Sequence, residues 1–344
     1  MTVVINGTSG ITFPDSSVQY NSYYGFKNRI INGGMALDQR NAGASQTITA
    51  AAALAYTVDR WYAYCTGANV TGQQIAGAYT SSQYRYQFTG AASVTAIGFG
   101  QRIEAKNSFD LANTTATLSC YISNSLLTTV TWTAYYANTA DTFGTLASPT
   151  VTQIATGTFT VTSTRTQYST NISIPSAATT GIQILFTVGA QTSGTWIIDT
   201  VQLEKGSTTT SFDYRPYGTE LQLCQRYYQK SYAIETVPAS VTKLNIVGGA
   251  VGLYGVWAGL NSISFAVQMR AAPTFAYYDS AGNASKVSAY LNTGGWTDNL
   301  TSIYTIPLAN TLSTNAFVMG AYNPPSSGAQ NNNTFLHYTA SAEL

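Results

Sequence analysis

The sequence predicts an all-β protein with four parts: an N-terminal hairpin segment, a jelly-roll β-sandwich, a short linking helix and a C-terminal β-sandwich domain. Three observations lead to this prediction. Short runs alternate β-branched or aromatic residues with polar ones, in residues 115–122, 129–136, 157–162 and 181–188. Gly, Asn, Pro and Ser separate these runs, and no strand–helix–strand alternation is visible. The length of 344 residues also exceeds that of one small module.

The first part, residues 1–25, is a short unit of its own. Residues 3–13 form two apolar runs around a turn between Asn6 and Gly10, which predicts a hairpin. A two-stranded hairpin is not stable alone in water. It must therefore pack on the rest of the chain, on its own copies in an oligomer, or on a partner.

The jelly roll is predicted over residues 26–217. Trp61 is expected to be a core aromatic at the start of a strand, and residues 196–201 alternate as a sandwich strand does. Asn32-Gly33-Gly34 is expected to supply positive φ angles for a turn. Asp199 has two possible roles, a calcium ligand or a hydrogen-bonded structural acid. The second is favoured, because no Asp-rich loop accompanies Asp199.

Residues 218–235 form the linking segment, and residues 236–344 form the C-terminal β domain. The pair Thr219 and Gln222 has the spacing of a capping box, which predicts a helix over about 219–231. Leu221, Cys224 and Tyr228 would lie along one apolar face of this helix.

Composition narrows the possible functions. Charged residues make up 8% of the chain and the net charge is +1, so the basic surface that binds nucleic acid is missing. No apolar stretch approaches the roughly 20 residues of a membrane span, and the N-terminus lacks a secretory signal pattern. Cys65, Cys120 and Cys224 cannot all pair, so buried free thiols are expected. We therefore expect no nucleic-acid partner, no membrane insertion, no metal and no cofactor.

The sequence contains few candidate catalytic residues. His337 is the sole histidine, and no Gly-x-Ser-x-Gly motif accompanies it, so an ordinary strand or surface histidine is expected. Glycoside hydrolysis needs two carboxylates, and no pair of acids in the sequence suggests it, although acids can meet across a fold or a subunit interface. No catalytic residue is predicted.

Aromatic residues of the C-terminal domain are the candidate carbohydrate contacts. Sugar C–H faces stack on aromatic rings, and several of these residues stand beside turn-forming residues. The candidates are Tyr254, Trp257, Tyr278, Trp296 and Tyr322. The alternative is that these rings fill cores or subunit interfaces.

Three groups of motifs resemble bacteriophage tail-fibre and related receptor-binding proteins. They are Gly10-Ile-Thr-Phe-Pro-Asp-Ser-Ser-Val-Gln19; Asn28-Arg-Ile-Ile-Asn-Gly-Gly-Met35 with Asp38-Gln39-Arg40 and Tyr56-Thr-Val-Asp-Arg-Trp61; and Trp196-Ile-Ile-Asp-Thr-Val-Gln-Leu-Glu-Lys-Gly206 with Phe212-Asp-Tyr-Arg-Pro216 and Glu220-Leu-Gln-Leu-Cys-Gln-Arg-Tyr-Tyr228. The second group resembles the opening of the carbohydrate-binding-module-like jelly roll of such fibres, and the third resembles its close. Together the motifs cover roughly residues 1–230.

The resemblance implies a non-enzymatic protein of the virion tail, assembled in the host cytoplasm. It would attach to a tail or baseplate protein through residues 1–25 and recognise polysaccharide of the host cell surface. It would also be a homotrimer, with Leu221, Cys224 and Tyr228, or Leu223 and Tyr227, toward a threefold axis. Two alternatives stay open: a structural capsid or baseplate decoration protein, and a polysaccharide-degrading tailspike.

Overall fold

The computed structural model describes residues 4–6, 10–12, 18–19, 26–51, 53–250, 258–291, 295–300, 312–321 and 333–344. Nearly all regular structure within these ranges is antiparallel β-strand, which confirms the predicted all-β class. No helix in these ranges is long and apolar enough to cross a membrane.

The N-terminal segment is a three-stranded antiparallel sheet in the order β1-β2-β3. Its strands are β1 (Val4–Asn6), β2 (Gly10–Thr12) and β3 (Val18–Gln19). The predicted hairpin is confirmed, because Ile5 pairs with Ile11 across β1 and β2.

Twelve strands follow in chain order and build the sandwich. They are β4 (Gln46–Ile48), β5 (Ala55–Tyr56), β6 (Trp61–Thr66), β7 (Val70–Tyr79), β8 (Ser82–Thr89), β9 (Ala96–Ile103), β10 (Thr114–Asn124), β11 (Thr129–Ala137), β12 (Val151–Thr160), β13 (Thr166–Ile174), β14 (Ile182–Val188) and β15 (Thr195–Lys205), with the helix α1 (Ala105–Ser108) and a 3-10 turn (Phe109–Leu111) between β9 and β10. One six-stranded sheet has the order β13-β10-β15-β8-β7-β4. The other has the order β12-β11-β14-β9-β6-β5. The four alternating runs identified in the sequence correspond to β10, β11, β12 and β14, although residues 161–162 lie beyond the end of β12 and residue 181 precedes β14.

An aromatic core fills the space between the two sheets. Trp61 stacks on Phe99 with ring centroids 4.6 Å apart, and Trp196 stacks on Phe88 at 5.1 Å. All four side chains are fully buried. Trp61 is therefore a core residue, as predicted, and the three cysteines are buried free thiols, also as predicted.

Gly33 is required for a reason other than the predicted one. Within the predicted turn Asn32-Gly33-Gly34, positive φ occurs at Asn32 (55°), as predicted, but at neither glycine; the next positive φ is at Met35 (55°). The Gly33 carbonyl accepts a 2.9 Å hydrogen bond from the Val201 amide. A Cβ on residue 33 would lie 2.1 Å from the Val201 carbonyl oxygen, so the close approach of two backbones excludes a side chain here.

The linking helix α2 (Tyr217–Gln225) differs from the prediction at both ends. Pro216 is its N-cap residue and no side chain caps it, so the predicted capping box is wrong. Thr219 instead lies within the first turn, where its amide donates to the Pro216 carbonyl. The helix ends early because residues 228–230 form a strand, β16 (Tyr228–Lys230).

The apolar side of α2 packs within the chain. Cys224 and Tyr227 are fully buried against Ile31 and Leu37 of the jelly roll. Tyr228 is also buried. These side chains are therefore buried within one subunit and not exposed toward a threefold axis. The homotrimer itself stays a prediction.

The C-terminal domain has its own sheets and core. Its further strands are β17 (Val247–Ala250), β18 (Ala258–Ser264), β19 (Thr274–Tyr278), β20 (Val287–Leu291), β21 (Gly295–Leu300), β22 (Ala316–Ala321) and β23 (Asn333–Ser341). One sheet has the order β16-β23-β20-β21, with β17 and β19 also pairing with β23, while β18 pairs with β22. Phe317 and Leu336 lie at the centre of a separate apolar cluster. Because β16 pairs with β23, the chain enters the C-terminal sheet within a few residues of the end of α2.

Candidate functional site

An open cleft of about 380 Å³ lies where the jelly roll meets the segment after β16. The volume is in the range of small-ligand sites, which occur preferentially between domains. Three parts of the chain line the cleft: the β7–β8 hairpin, the loop 36–43, and the linking region, with Tyr217 in α2 and Ile234 and Glu235 after β16.

The β7–β8 hairpin supplies Gln74, Ile75 and Ala76 from one strand and Gln83 and Tyr84 from the other. Antiparallel pairing places Ala76 opposite Tyr84. The pairing of two long strands makes this side of the cleft rigid, and the half-buried Tyr84 is its aromatic group.

The loop 36–43 is held by Asp38. One carboxylate oxygen of Asp38 accepts from the Asn41 amide and the other from the Gly43 amide, both at 2.9 Å. These bonds stabilise positive φ at Ala42 (50°) and Gly43 (79°). Burial raises the pKa of the Asp38 carboxyl, and the two amides oppose that shift. Asp38 therefore has a structural role in its own loop.

The opposite wall consists of Tyr217 at the start of α2 with Ile234 and Glu235. The Lys230 ammonium fixes the segment around Glu235, because it donates to the carbonyls of Ile234 (2.9 Å) and Thr236 (2.7 Å). Burial lowers the pKa of Lys230 to about 8, and nearby carboxylates partly offset this effect. The Tyr217 side chain is 56% exposed.

Four polar groups of the cleft are free to meet a ligand. Within the described ranges, the hydroxyls of Tyr84 and Tyr217, the Gln83 amide and the Glu235 carboxylate have no hydrogen-bond partner. Burial and the neighbouring Glu235 carboxylate raise the pKa of the Tyr217 hydroxyl. Two rings and several uncommitted polar groups thus line one cavity.

Of the residues predicted as carbohydrate contacts, two lie in the described ranges. Tyr278 is half-buried on β19, with its ring 6.3 Å from that of Tyr232. Trp296 is half-buried on β21, where the Lys243 ammonium lies 5.0 Å from its ring centroid and Tyr290 packs at 5.5 Å. These two predicted contacts are not in ring contact with each other. Tyr254, Trp257 and Tyr322 lie outside the described residues.

Two other residues singled out in the sequence have structural roles. Arg165 donates from Nε to the Asp199 carboxylate at 3.0 Å, so the interpretation of Asp199 as a hydrogen-bonded structural acid is confirmed. His337 is a fully buried residue of β23. No group of three or more potential metal-ligating side chains occurs among the described residues.

Sequence reasoning did not find the cleft. Tyr84, Tyr217 and Glu235 come from three elements that are far apart in the chain. No local spacing could have brought them together, because only the packing of the linking segment on the jelly roll does so. The one available signal was that Tyr217 directly follows the motif Phe212-Asp-Tyr-Arg-Pro216 at the close of the jelly roll.

No family model matches the sequence, and no curated protein does either. Among solved structures, the chain is similar to the enzymatically active domain of tailspike protein 4 of bacteriophage CBA120, with 16% identity over 52% of this chain and a TM-score of 0.34; the match spans 22% of that chain. A carbohydrate-binding module, CBM4, matches with 17% identity over 51% of this chain and 98% of that chain, at a TM-score of 0.33. The CBM22-2 xylan-binding domain from Paenibacillus barcinonensis matches with 12% identity over 43% of this chain and 92% of that chain, at 0.30. TM-scores this low carry no conclusion, and the sandwich is assigned from the strand pairing of this chain.

Proposed function

We propose that this protein is a non-catalytic, glycan-binding receptor-binding protein of a phage tail, and that the cleft between the jelly roll and the linking segment holds the glycan. The observation that carries the proposal is the pair of tyrosines, Tyr84 and Tyr217, in one cavity with uncommitted polar groups. Aromatic rings offer flat apolar faces to sugar C–H groups, and hydroxyls, amides and carboxylates pair with sugar hydroxyls.

The carboxylates of the cleft support binding without cleavage. Hydrolysis in most glycosidases needs an acid and a base or nucleophile on two free carboxyl groups. Both oxygens of Asp38 accept backbone amides, so this residue is committed to its loop. Glu235 is then the one uncommitted carboxylate among the lining residues. We expect incubation with host capsule or lipopolysaccharide to release no new reducing ends.

The phage-tail context of the proposal comes from the sequence motifs of residues 1–230. Several copies in one particle would convert weak single contacts into firm attachment. The N-terminal segment would bind a tail or baseplate protein. Removing residues 1–22 should therefore leave a folded protein that still binds cells but is not incorporated into particles. Normal incorporation would contradict the assigned role of this segment.

The cleft is tested by Tyr217→Ala, with Trp296→Ala as the matched aromatic control on the C-terminal sheet. Tyr217 is largely exposed at a helix start, so alanine should leave the fold intact. We expect binding to host cells or purified surface polysaccharide to weaken on the order of tenfold in Tyr217→Ala, about 1.4 kcal/mol, and to change little in Trp296→Ala. Weaker binding in Trp296→Ala with unchanged binding in Tyr217→Ala would indicate that the site lies among the C-terminal aromatic residues. Equal binding of wild-type protein to cells stripped of polysaccharide would contradict glycan recognition.

A further inference from the structure

The charges that line the cleft are of one sign. Asp38 and Glu235 contribute carboxylates, and no Lys, Arg or His side chain is among the lining residues. The Lys230 ammonium does not line the cleft; it donates to two carbonyls of the segment that carries Glu235, and its charge also interacts with Glu235 and Asp38. A ligand in the cleft therefore meets negative charge directly.

Glu235 is the charge that a ligand can reach. The side chain is exposed, and its carboxylate has no partner within the described ranges. Asp38 is 5% exposed, and its two oxygens already accept backbone amides. Glu235 can thus form an ion pair with an incoming ammonium group, whereas Asp38 adds only a fixed negative potential.

The backbone on both sides of Glu235 is held in place by hydrogen bonds. Lys230 holds the carbonyls on both sides of this residue, at positions 234 and 236. Tyr217 lies in the same wall of the cleft as Glu235. A sugar stacked on Tyr217 would therefore have its substituents beside a positioned carboxylate.

From these observations we infer that the cleft selects a saccharide bearing free amino groups and excludes acidic saccharides, with Glu235 as the specificity-determining residue. This inference rests on the proposed glycan binding and names its ligand class. A uronic acid would place a second carboxylate against Glu235, with like charges repelling and the buried Asp38 adding to the repulsion. A protonated amino sugar would instead pair with Glu235.

The test uses three tetrasaccharides of equal length and different charge: a glucosamine oligomer with free amines, a neutral glucose oligomer and a galacturonic acid oligomer. Affinity is measured by calorimetry on the full chain near pH 6, at low and high salt. The glucosamine oligomer should bind tightest and the galacturonic acid oligomer weakest. Raising the salt should narrow the difference, because the preference is electrostatic.

Glu235→Gln is the deciding variant, because it keeps size and hydrogen bonding and removes the charge. It should lower affinity for the glucosamine oligomer about fivefold, the effect expected of an exposed ion pair, and leave the neutral oligomer unchanged. The control Asp110→Asn removes a charge from the exposed Arg29–Asp110 pair. It should leave the affinity for all three oligomers unchanged. Tyr217→Ala should weaken all three alike.

Failure of the amino-sugar inference can be distinguished from failure of the proposed glycan binding. If the neutral oligomer binds and Glu235→Gln leaves the affinity for the glucosamine oligomer unchanged, the amino-sugar inference is wrong while glycan binding stands. If none of the three binds the wild-type chain, glycan binding in this cleft is wrong and the inference falls with it.

Discussion

Glu343 pairs with Arg60, so a residue of the last segment of the chain is joined to the jelly roll by a buried ion pair. The side chains are 5% and 1% exposed. Arg40 donates to the other oxygen of Glu343 at 3.0 Å. The guanidinium of Arg60 also lies over the ring of Tyr227, with its central carbon 3.4 Å from the ring centroid. Residues of both domains and of the α2 segment thus meet in one charged cluster.

Replacing Glu343 by Gln should destabilise the protein by about 3–5 kcal/mol, because the positive charge of Arg60 would stay buried without its partner. Urea unfolding followed by tryptophan fluorescence measures this loss. Asp110→Asn in the exposed Arg29 pair is the control and should cost less than about 1 kcal/mol. Equal effects of the two substitutions would show that the buried pair does not stabilise the domain junction.

His337 gives a pH dependence that can be assigned to one residue. Its Nε2 donates to the Thr242 carbonyl (3.0 Å), and its Nδ1 accepts from the Ser231 hydroxyl (3.1 Å), which suits the neutral ring. Burial lowers the pKa of His337 below its usual 6.5. The unfolded chain therefore binds the proton at higher pH, and the stability that neutral His337 contributes is present above pH 6.5 and lost as the pH falls through the folded pKa.

We expect wild-type stability to fall more steeply below pH 6.5 than that of His337→Gln. Burial also raises the pKa of Asp38 and Asp59, and this effect favours the folded state as the pH falls. Because it is present in both proteins, the difference between them isolates the histidine. Because the chain has one histidine, its imidazole resonance in an NMR titration reports this residue alone. A ring that titrates at 6.5 or above in the folded protein would contradict the expectation.

Period-two patterns in the sequence predicted the strands and the core because strand geometry determines them locally. The alternation over residues 196–201 identified a strand in this way, and Trp61 was identified as a core residue at a strand start; it is fully buried. The limits of α2 could not be predicted, since its end depends on Tyr228 pairing with Ser341 near the other end of the chain. The cleft was missed for the same reason. Contacts between segments that are distant in the chain leave no local periodic pattern in the sequence.

Tyr338 should make the protein sensitive to alkali. Its ring lies in the core of the C-terminal domain, 5.6 Å from Phe275, and burial raises its pKa to about 12. A raised folded pKa contributes stability that is fully present below pH 10 and lost as the pH rises through about 12. In Tyr338→Phe the midpoint of alkaline unfolding should shift to higher pH. The midpoint is measured by following tyrosinate absorbance during an alkaline titration. An unchanged midpoint in Tyr338→Phe would contradict the prediction.

Gly33→Ala should destabilise the jelly roll by about 1–3 kcal/mol, because the new methyl group would overlap the Val201 carbonyl oxygen and push two backbones apart. Gly34→Ala is a matched control in the next residue. Its Cβ would meet nothing closer than the Phe212 ring at 3.7 Å, an ordinary contact. Thermal unfolding should separate the two variants, and a similar loss in both would point to backbone freedom as the requirement.

The last prediction concerns removal of the C-terminal domain. A variant ending near residue 235 loses Glu343 and also the Leu344 carbonyl, which accepts from Arg102 and from the Tyr56 hydroxyl, each at 2.7 Å. Three arginines of the jelly roll, Arg40, Arg60 and Arg102, would then lose partners together. We expect this variant to bind the dye ANS, to elute as aggregates and to unfold below the wild-type temperature, although the sandwich has its own apolar core. Loss of host binding in such a deletion would therefore not locate the receptor site, whereas single substitutions such as Tyr217→Ala would. A soluble, monodisperse variant with the wild-type unfolding temperature would instead show that the jelly roll does not depend on the charged cluster.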